Sequence, residues 1–414
     1  MKSHLGLILT VLMTILFFSN DFGLIDIQKT AIVVAMGIDK AQNGYHVSAQ
    51  IAIPQATDSG SGGNDSVVTG KGKTVAEAVD DIGTKTGWYP KLVFCNIILL
   101  GKDATSQNVM KELDFFLRTD KVQNTCLIAA TEERAEDVLT AVSPLDQISS
   151  FALQKILLKD AAKTGEIAVS NLKDFSSGYF SRAKTGFMPY VKKIPMQGEG
   201  KEKGGGSGGD GGSGGGQNSA PQKTPLFASQ GEAGGGEKAK ETFVFDATET
   251  LLFLDGKAVC LLSADQTRAF NFVRKKVTDA VIELENAEYN GRSVRLLLAL
   301  EKNKYSTKLT FDGNVPVFEM KASFRAKLVD VDGESSLEEI STPEVVPDAV
   351  LWEAERKVEE MLVSVFTFAT ENGCDLFRLN DKLFRHHPQK YDAFSKSILD
   401  KVQLKTTVKM TSSK

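Results

Sequence analysis

The sequence lacks the residue patterns that most often carry catalysis or metal binding. It contains four histidines and four cysteines among 414 residues, and no two cysteines have the CxxC spacing of a zinc site. His386 and His387 are adjacent, so on a helix they point about 100° apart and cannot form the i, i+4 clamp of a metal. No phosphate-binding loop of the form GxxxxGK[ST] occurs. The sequence predicts no enzyme, no cofactor and no metal.

Two GxSxG matches, at 205–209 and 211–215, do not change this prediction. A nucleophile elbow places its serine on a strained turn between a buried strand and a helix. Here both flanks are glycine runs, so we interpret the matches as an accident of composition.

The chain also lacks a surplus of basic residues. Its formal net charge is -4 and its pI is about 5.8, whereas a nucleic-acid-binding face concentrates positive charge. Nucleic acid is therefore not an expected partner. With 42% hydrophobic and 25% charged residues, the composition is that of a globular protein, and the length favours more than one domain.

Long hydrophobic runs are scarce, and the clearest one lies at the N-terminus. The apolar stretch from Leu5 to Phe18 contains about 14 residues and would rise ~21 Å as a helix, against a hydrocarbon core of ~30 Å. Export is expected, but no A-x-A-like cleavage site follows, which favours an uncleaved anchor. Residues 1–20 are predicted to be a signal-like segment or membrane anchor, whose apolar residues include Leu5, Ile8, Leu12, Ile15, Leu16, Phe17 and Phe18.

The region 21–195 is predicted to be an N-terminal α/β region that could contain two subdomains. Two strand-like runs around Asn43-Gly44 predict a hairpin, and Thr74 with Glu77 has the spacing of a capping box that opens a helix toward Thr86. Strand and helix patterns then alternate, with LVFCNIILLG as a buried strand and NVMKELDFFLR as an amphipathic helix. Cys95, Cys126 and Cys260 lie in apolar runs and are interpreted as small buried side chains.

Residues 196–241 are rich in glycine and cannot bury enough apolar surface to order themselves. This segment is either a linker between domains or an expanded loop between neighbouring strands, because closing a long loop costs little additional entropy. The remainder, 242–414, is predicted to be a C-terminal α+β domain.

Within this last region, TLLFLDGKAVCLL predicts a hairpin that turns at Asp255-Gly256. Several strand-like segments and a long helix over Asp348 to Thr370 follow, with Gly373 at the helix end. Together, the patterns predict an α+β, multi-domain fold with mixed and antiparallel sheets and flanking helices, preceded by the N-terminal apolar helix.

Two blocks of this sequence resemble the Ger(x)C family of spore germination proteins. The first hairpin has the family's G-I-D-K turn at 37–40 and its V-x-x-Q-I-x-x-P return strand, with Gln50 and Pro54. The second block has the family's strand, a D-F-F-L-R helix and a following strand. Residues that carry the second match are Asp114, Phe115, Phe116, Leu117 and Arg118.

The resemblance implies a non-catalytic subunit of a nutrient germinant receptor, which assembles with membrane subunits of the A and B types at the outer face of the spore inner membrane. It also implies an α+β fold of three domains. We expect the five residues of the D-F-F-L-R segment to contribute to a partner interface. Family members usually carry a lipidated cysteine after the signal, whereas no cysteine precedes Cys95 here, so the N-terminal helix is expected to serve as the anchor.

Two other classes of function remain open at this point. An extracytoplasmic solute-binding protein would show a deep cleft between two α/β lobes. An exported hydrolase would bring two carboxylates together in a pocket.

Overall fold

The structure is a computed structural model that describes residues 30–52, 66–118, 122–144, 146, 148–196, 242–289, 291–332 and 345–413, together with residues 4, 6, 10, 11, 13 and 14. The seven residues named above for the anchor lie outside this set, as does the glycine-rich tract from 197 to 241. In the described parts of the chain, no helix is long and apolar enough to cross a membrane.

Nine strands form the first sheet, in the order β3-β2-β1-β5-β6-β7-β8-β9 with β4 also paired to β1. These strands are β1 (Thr30–Ala41), β2 (Gly44–Ala52), β3 (Ser66–Gly72), β4 (Tyr89–Lys91), β5 (Ile97–Leu100), β6 (Leu127–Thr131), β7 (Thr185–Pro195), β8 (Phe243–Leu254) and β9 (Lys257–Leu262). The helices of this part are α1 (Val75–Thr86), α2 (Lys102–Thr105), α3 (Met110–Arg118), α4 (Ala135–Leu139), α5 (Ser149–Lys155), α6 (Ala161–Thr164) and α7 (Leu172–Phe180).

The sheet is mixed and has helices on both faces. Strands β1, β5, β6 and β7 run parallel, whereas β2, β3, β8 and β9 add antiparallel pairings. In β5, Ile98 and Leu100 belong to the core under α1, α3 and α7, while Ile97 and Leu99 belong to the core under α4 and α5. An unbroken apolar run is needed here because both faces of this strand are covered.

The predicted first hairpin and first helix are confirmed, with small differences in detail. The hairpin loop consists of Gln42 and Asn43, because Ala41 pairs with Gly44. The side chain of Thr74 accepts a hydrogen bond from the Glu77 backbone N–H, and the Glu77 carboxylate accepts one from the Lys73 backbone N–H at 2.7 Å. The predicted strand LVFCNIILLG is shorter than expected, since its first part is a 3₁₀ turn over Leu92–Phe94.

Strands β7 and β8 flank the glycine-rich tract and pair antiparallel, with Pro195 opposite Phe243. Of the two interpretations of the tract, the structure therefore supports a connection between neighbouring strands of one sheet. The division of the chain at residue 242 does not coincide with a boundary between sheets, because β8 and β9 complete the first sheet.

Shortening this tract is expected to stabilise the protein. Replacing residues 197–241 with a turn of about four residues should raise the free energy of unfolding by about 2 kcal/mol, because the entropy of loop closure falls with loop length. Urea denaturation would measure the change. The control is a variant in which a Gly-Ser segment of the same length as the natural tract replaces residues 197–241. A loss of stability in the short variant would contradict a simple connecting role.

The second sheet contains four strands in the order β10-β11-β12-β13. These are β10 (Ala280–Tyr289), β11 (Arg292–Asp312), β12 (Val315–Asp332) and β13 (Gln403–Ser412). Its helices are α8 (Ala264–Phe272), α9 (Asp348–Glu371), α10 (Leu379–His386), α11 (Pro388–Phe394) and α12 (Ile398–Lys401). The first three strands form an antiparallel meander, and β13 returns parallel to β12.

The long helix α9 packs its apolar stripe on this sheet, as its sequence period predicts. The stripe residues Leu351, Ala354, Val358, Met361, Leu362, Val365, Phe366 and Ala369 are all buried. Beside this stripe, Glu355 and Glu359 help to hold the edge strand, because they accept hydrogen bonds from the backbone N–H groups of Met410 and Val408 at 2.6 and 2.9 Å. These bonds occupy edge donors that would otherwise be open to another strand.

Candidate functional site

The D-F-F-L-R segment forms the last part of α3, and its side chains divide between core and surface. Phe116 is 1% exposed and belongs to the core, so it cannot contact a partner in the folded protein. Asp114 and Arg118 form an exposed ion pair at 2.6 Å, worth about 0.3–0.5 kcal/mol. Phe115 and Leu117 are half-buried. Of the five residues from which a partner interface is predicted, only Asp114, Phe115, Leu117 and Arg118 therefore reach the surface.

A groove of about 570 Å³ lies between α1, the β4 segment and α3, and Phe115 lies in its wall. We call it the aromatic groove. Its lining includes Val79, Asp80, Gly83, Thr84, Trp88, Tyr89, Pro90, Leu92 and Phe115.

The aromatic groove is bordered by side chains that are unusually exposed for their type. Trp88 and Tyr89, which line the groove, are 49% and 39% exposed, and Val93 and Phe94, which follow in the sequence, are 37% and 49% exposed. Gly87 ends α1 with φ of 70° and turns the chain so that these residues project beside the helix. Clustered large apolar side chains on a surface are typical of an interaction site.

The polar side chains of the groove define which partner it suits. Asp80 and Thr84 lie on its α1 side, and no basic residue is among the lining residues. Aromatic side chains supply much contact area at low cost in conformational entropy. The arrangement suits an apolar or aromatic segment of a protein, with a neutral or positive group near Asp80.

The aromatic groove was not predicted from the sequence, although one local feature pointed to it. The WYP run at 88–90 lies between the predicted helix that ends near Thr86 and the predicted strand that begins at Leu92, so its rings had no predicted element in which to be buried. That placement was the available signal.

The first hairpin does not present apolar side chains to a partner. Strand β1 lies inside the sheet, between β2 on one side and β4 and β5 on the other, and its residues Val33, Met36 and Ile38 are fully buried. The apolar residues of β1 therefore contribute to the core of the first sheet.

A second concave surface of about 650 Å³ lies at the tip of the hairpin. Its lining includes Asp39, Lys40, Tyr45, His46, Lys71, Lys73, Glu77 and Arg134. Both concave surfaces lie on the first sheet and its helices, so neither has the two-lobed form that a solute-binding protein would show.

Asp39, from the G-I-D-K turn, has a structural role at this tip. Its carboxylate accepts hydrogen bonds from the backbone N–H groups of Ala135 at 2.7 Å and Glu136 at 3.1 Å. Burial raises the pKa of Asp39, and the two backbone hydrogen bonds oppose that rise. The carboxylate thus holds the start of α4 against the end of β1.

Two glycines make this contact possible. A Cβ on Gly37 would lie 2.8 Å from the Cβ of Ala135, and a Cβ on Gly101 would lie 2.0 Å from Oδ1 of Asp39. Helix α4 can approach the sheet closely only because both positions lack a side chain.

Gln50, in the return strand of the same motif, joins two helices, α4 and α5. It is fully buried, and its Nε2 donates to the Leu139 carbonyl and to Ser149 Oγ, both at 3.1 Å. Its Oε1 accepts from the Ser150 backbone N–H at 3.2 Å. The residues of the first motif therefore position α4 and α5 on the sheet.

Histidine, cysteine, aspartate and glutamate do not gather into a metal site of three or more such residues among those whose positions are described. His387 instead ends helix α10, and its Nε2 lies 3.0 Å from the Leu309 carbonyl oxygen. Its ring packs edge-on against Phe311 with centroids 5.0 Å apart.

Comparison with known families finds two matches along the chain. A model described as the spore germination protein N-terminal domain matches residues 24–193. A model described as the C-terminal part of spore germination B3/GerAC-like proteins matches residues 248–413. Together the two models cover most of the chain.

Individual proteins give similar results. Spore germination protein B3 of Bacillus subtilis (strain 168) is 32% identical over 128 residues, which are 30% of this chain and 33% of that protein. The chain therefore matches about a third of the length of this relative. A solved structure described as the crystal structure of the GerBC protein superposes with a TM-score of 0.49 and 18% identity, covering 93% of this chain and 99% of that chain.

Proposed function

The chain belongs to the GerAC-like, or Ger(x)C, family of spore germination proteins, and we propose that it is the C subunit of a nutrient germinant receptor. The observation that carries this proposal is the match of both family models, in order, to residues 24–193 and 248–413. In this role the protein is required for nutrient-triggered germination and acts by binding and scaffolding, without catalysis.

The aromatic groove is the proposed contact with the membrane subunits. It combines exposed Trp88 and Tyr89 with the half-buried Phe115 of the D-F-F-L-R helix. Interfaces of stable complexes are enriched in such aromatic residues at their centres. The aromatic groove thus supports a proposed interface that includes α3. The centre of this interface lies at residues 88–90, which follow α1.

The proposed location is the extracytoplasmic face of the spore inner membrane. The apolar stretch from Leu5 to Phe18 supports an anchor there, and the groove would add contacts with the A-type and B-type subunits. Membrane attachment would then depend on two independent elements.

Substitution of a groove aromatic tests this proposal. Trp88→Ala should reduce the amount of membrane subunits that co-purify with the protein by about tenfold or more, since removing a buried interface aromatic often costs about 2 kcal/mol. Nutrient-triggered germination should slow in parallel. The Trp88 side chain is 49% exposed, so the free energy of unfolding should change by less than about 0.5 kcal/mol.

The chain offers a matched control in its other tryptophan. Trp352 lies on the outer face of α9 and is 68% exposed, so Trp352→Ala removes an equivalent ring away from the groove. Equal co-purification for the groove and control variants would exclude the groove as the contact. A deletion strain that germinates at the wild-type rate on every nutrient would exclude the receptor role itself.

A further inference from the structure

The second sheet buries one face under helix α9 and leaves the other face uncovered in the part of the chain that the structure describes. The side chains of β12 alternate, with Phe318 and Met320 buried and Lys321 exposed. In β13, Val408 is buried and Lys409 is exposed in the same way. Because successive side chains of a strand point to opposite faces, the residues between the buried ones share the outer face.

Nine residues on this outer face form three rows across β11, β12 and β13, and we call them the basic face. The rows are Lys304, Ser323 and Lys409; Ser306, Lys321 and Thr407; and Lys308, Glu319 and Lys405. Each lysine lies opposite a hydroxyl or a carboxylate, and no lysine lies opposite another. Since like charges directly opposite each other are destabilising, this arrangement holds five lysines on one face without the most unfavourable contacts.

The charge of the basic face is opposite in sign to that of the whole chain. Five lysines and one glutamate give it a formal charge of +4, whereas the chain has -4. The two flanking rows add no net charge, since one pairs Glu301 with Arg325 and the other holds uncharged residues. Glu319 and Lys321 form an ion pair at 3.3 Å. The other four lysines are exposed and form no ion pair with a described residue, so they are available to an anionic partner.

At the centre of the basic face lies an open depression of about 260 Å³. Its lining residues are Lys304, Tyr305, Ser306, Lys321, Ala322, Ser323, Thr407 and Lys409. Three ammonium groups and three hydroxyl groups thus line one space, and no carboxylate lines it. None of the three hydroxyl groups is hydrogen-bonded to another described residue, so each can donate to a ligand oxygen. Lysine and hydroxyl donors around one depression suit a phosphate group.

We propose that the basic face docks on the surface of an anionic phospholipid bilayer, with a lipid phosphate in the central depression. The proposal rests on the membrane location proposed above, because it concerns how the protein meets that membrane. A sheet face spreads its lysines over a broad surface, as contact with a bilayer requires. Each lysine held near an anionic bilayer strengthens binding by about fivefold.

The composition of the basic face favours lipid over a protein or nucleic-acid partner. The centres of protein interfaces are enriched in aromatic residues and depleted of lysine, and proteins that bind single-stranded nucleic acid stack its bases on aromatic rings. The basic face has five lysines and no aromatic residue. The neighbouring Tyr305 donates its hydroxyl to the Arg274 carbonyl oxygen at 2.6 Å. The aromatic groove has the reverse composition, so the two surfaces suit different partners.

Vesicle flotation of the full chain tests the proposal. Its affinity for vesicles of equal parts phosphatidylcholine and phosphatidylglycerol is divided by its affinity for vesicles of phosphatidylcholine alone. The N-terminal apolar stretch is present in every variant and contributes to both affinities, so the ratio reports the charged contact. Replacing Lys304, Lys321 and Lys409 with glutamine should lower this ratio by about a hundredfold. High salt should lower the wild-type ratio, because it screens exposed charges.

The matched control replaces three exposed lysines outside the basic face, Lys102, Lys173 and Lys396, with glutamine. It has the same net charge as the test variant, and its ratio should stay close to that of the wild type. Equal losses in the two variants, or equal binding of the wild type to both kinds of vesicle, would overturn the proposal.

Two competitors distinguish lipid from other anions. Inorganic phosphate should displace the wild type from anionic vesicles no better than sodium chloride of the same ionic strength. Displacement by phosphate at much lower ionic strength would identify free phosphate as the ligand. Tighter binding of poly-glutamate or of an oligonucleotide through the same three lysines would identify a macromolecular partner, and either result would overturn docking on lipid.

Failure of this proposal can be distinguished from failure of the receptor role. If the wild type did not prefer anionic vesicles but its deletion still abolished nutrient-triggered germination, only the docking surface would be wrong. If the deletion strain germinated normally while the three lysines still governed vesicle binding, the receptor role would be wrong and the lipid contact would stand.

Discussion

Replacing Gly101 with alanine is expected to lower the free energy of unfolding by about 3 kcal/mol. The new Cβ would lie 2.0 Å from Asp39 Oδ1, so the Asp39 side chain must move. Its hydrogen bonds to the backbone N–H groups of Ala135 and Glu136, at 2.7 and 3.1 Å, would then be lost in a buried site. Urea denaturation followed by circular dichroism would measure the change.

A double-mutant cycle distinguishes loss of the Asp39 hydrogen bonds from a steric effect of the new methyl group on other neighbours. Asp39→Ala should cost a similar amount, and the double variant should cost little more than either single one, because both act on the same contact. Gly83→Ala is the control, since a Cβ there meets no atom closer than 3.4 Å and alanine favours a helix. Additive losses in the double variant would contradict the shared cause.

Truncation of Phe318 is expected to have the largest effect on the second sheet. Its ring is fully buried and stacks on Phe366 of α9 with centroids 5.8 Å apart, next to Phe377 at 5.7 Å. Phe318→Ala should lower the free energy of unfolding by about 3–5 kcal/mol, because it removes apolar contacts and leaves a cavity.

The same strand provides the control for this variant. Val329 in β12 is 54% exposed, so Val329→Ala should change the free energy of unfolding by less than about 0.5 kcal/mol. Phe318→Leu should lower the free energy of unfolding by an amount between those for Phe318→Ala and Val329→Ala. If Phe318→Ala were no more destabilising than Val329→Ala, the stacked rings would not hold α9 on the sheet.

Much of the local structure could be predicted because it depends on neighbouring residues. Thr74 and Glu77 start α1 through hydrogen bonds within one turn, and Asp255-Gly256 closes the hairpin of β8 and β9. The stripe of α9 follows from the helical period alone. The family resemblance rests on the same short blocks, and the match of both family models confirms it.

The site was only partly predictable, because exposure depends on what packs nearby. Phe115 and Phe116 are adjacent and of the same type, yet Phe115 lines the aromatic groove and Phe116 is in the core. The direction of each side chain on α3 relative to the sheet decides this. The sequence showed that Trp88 had no predicted element to bury it. The groove that Trp88 lines could not be predicted, because it forms only when α1 and α3 pack near each other.

By itself, the sequence determined the family, the helices and hairpins that close over a few residues, and the apolar stretches that form the core. The tertiary structure alone decided that β7 and β8 pair across the glycine-rich tract and that Gln50 reaches Leu139 and Ser149. It also decided that Asp39 holds α4 in place. Contacts of this second kind join residues distant in the chain, so they depend on how whole elements pack and not on any local pattern.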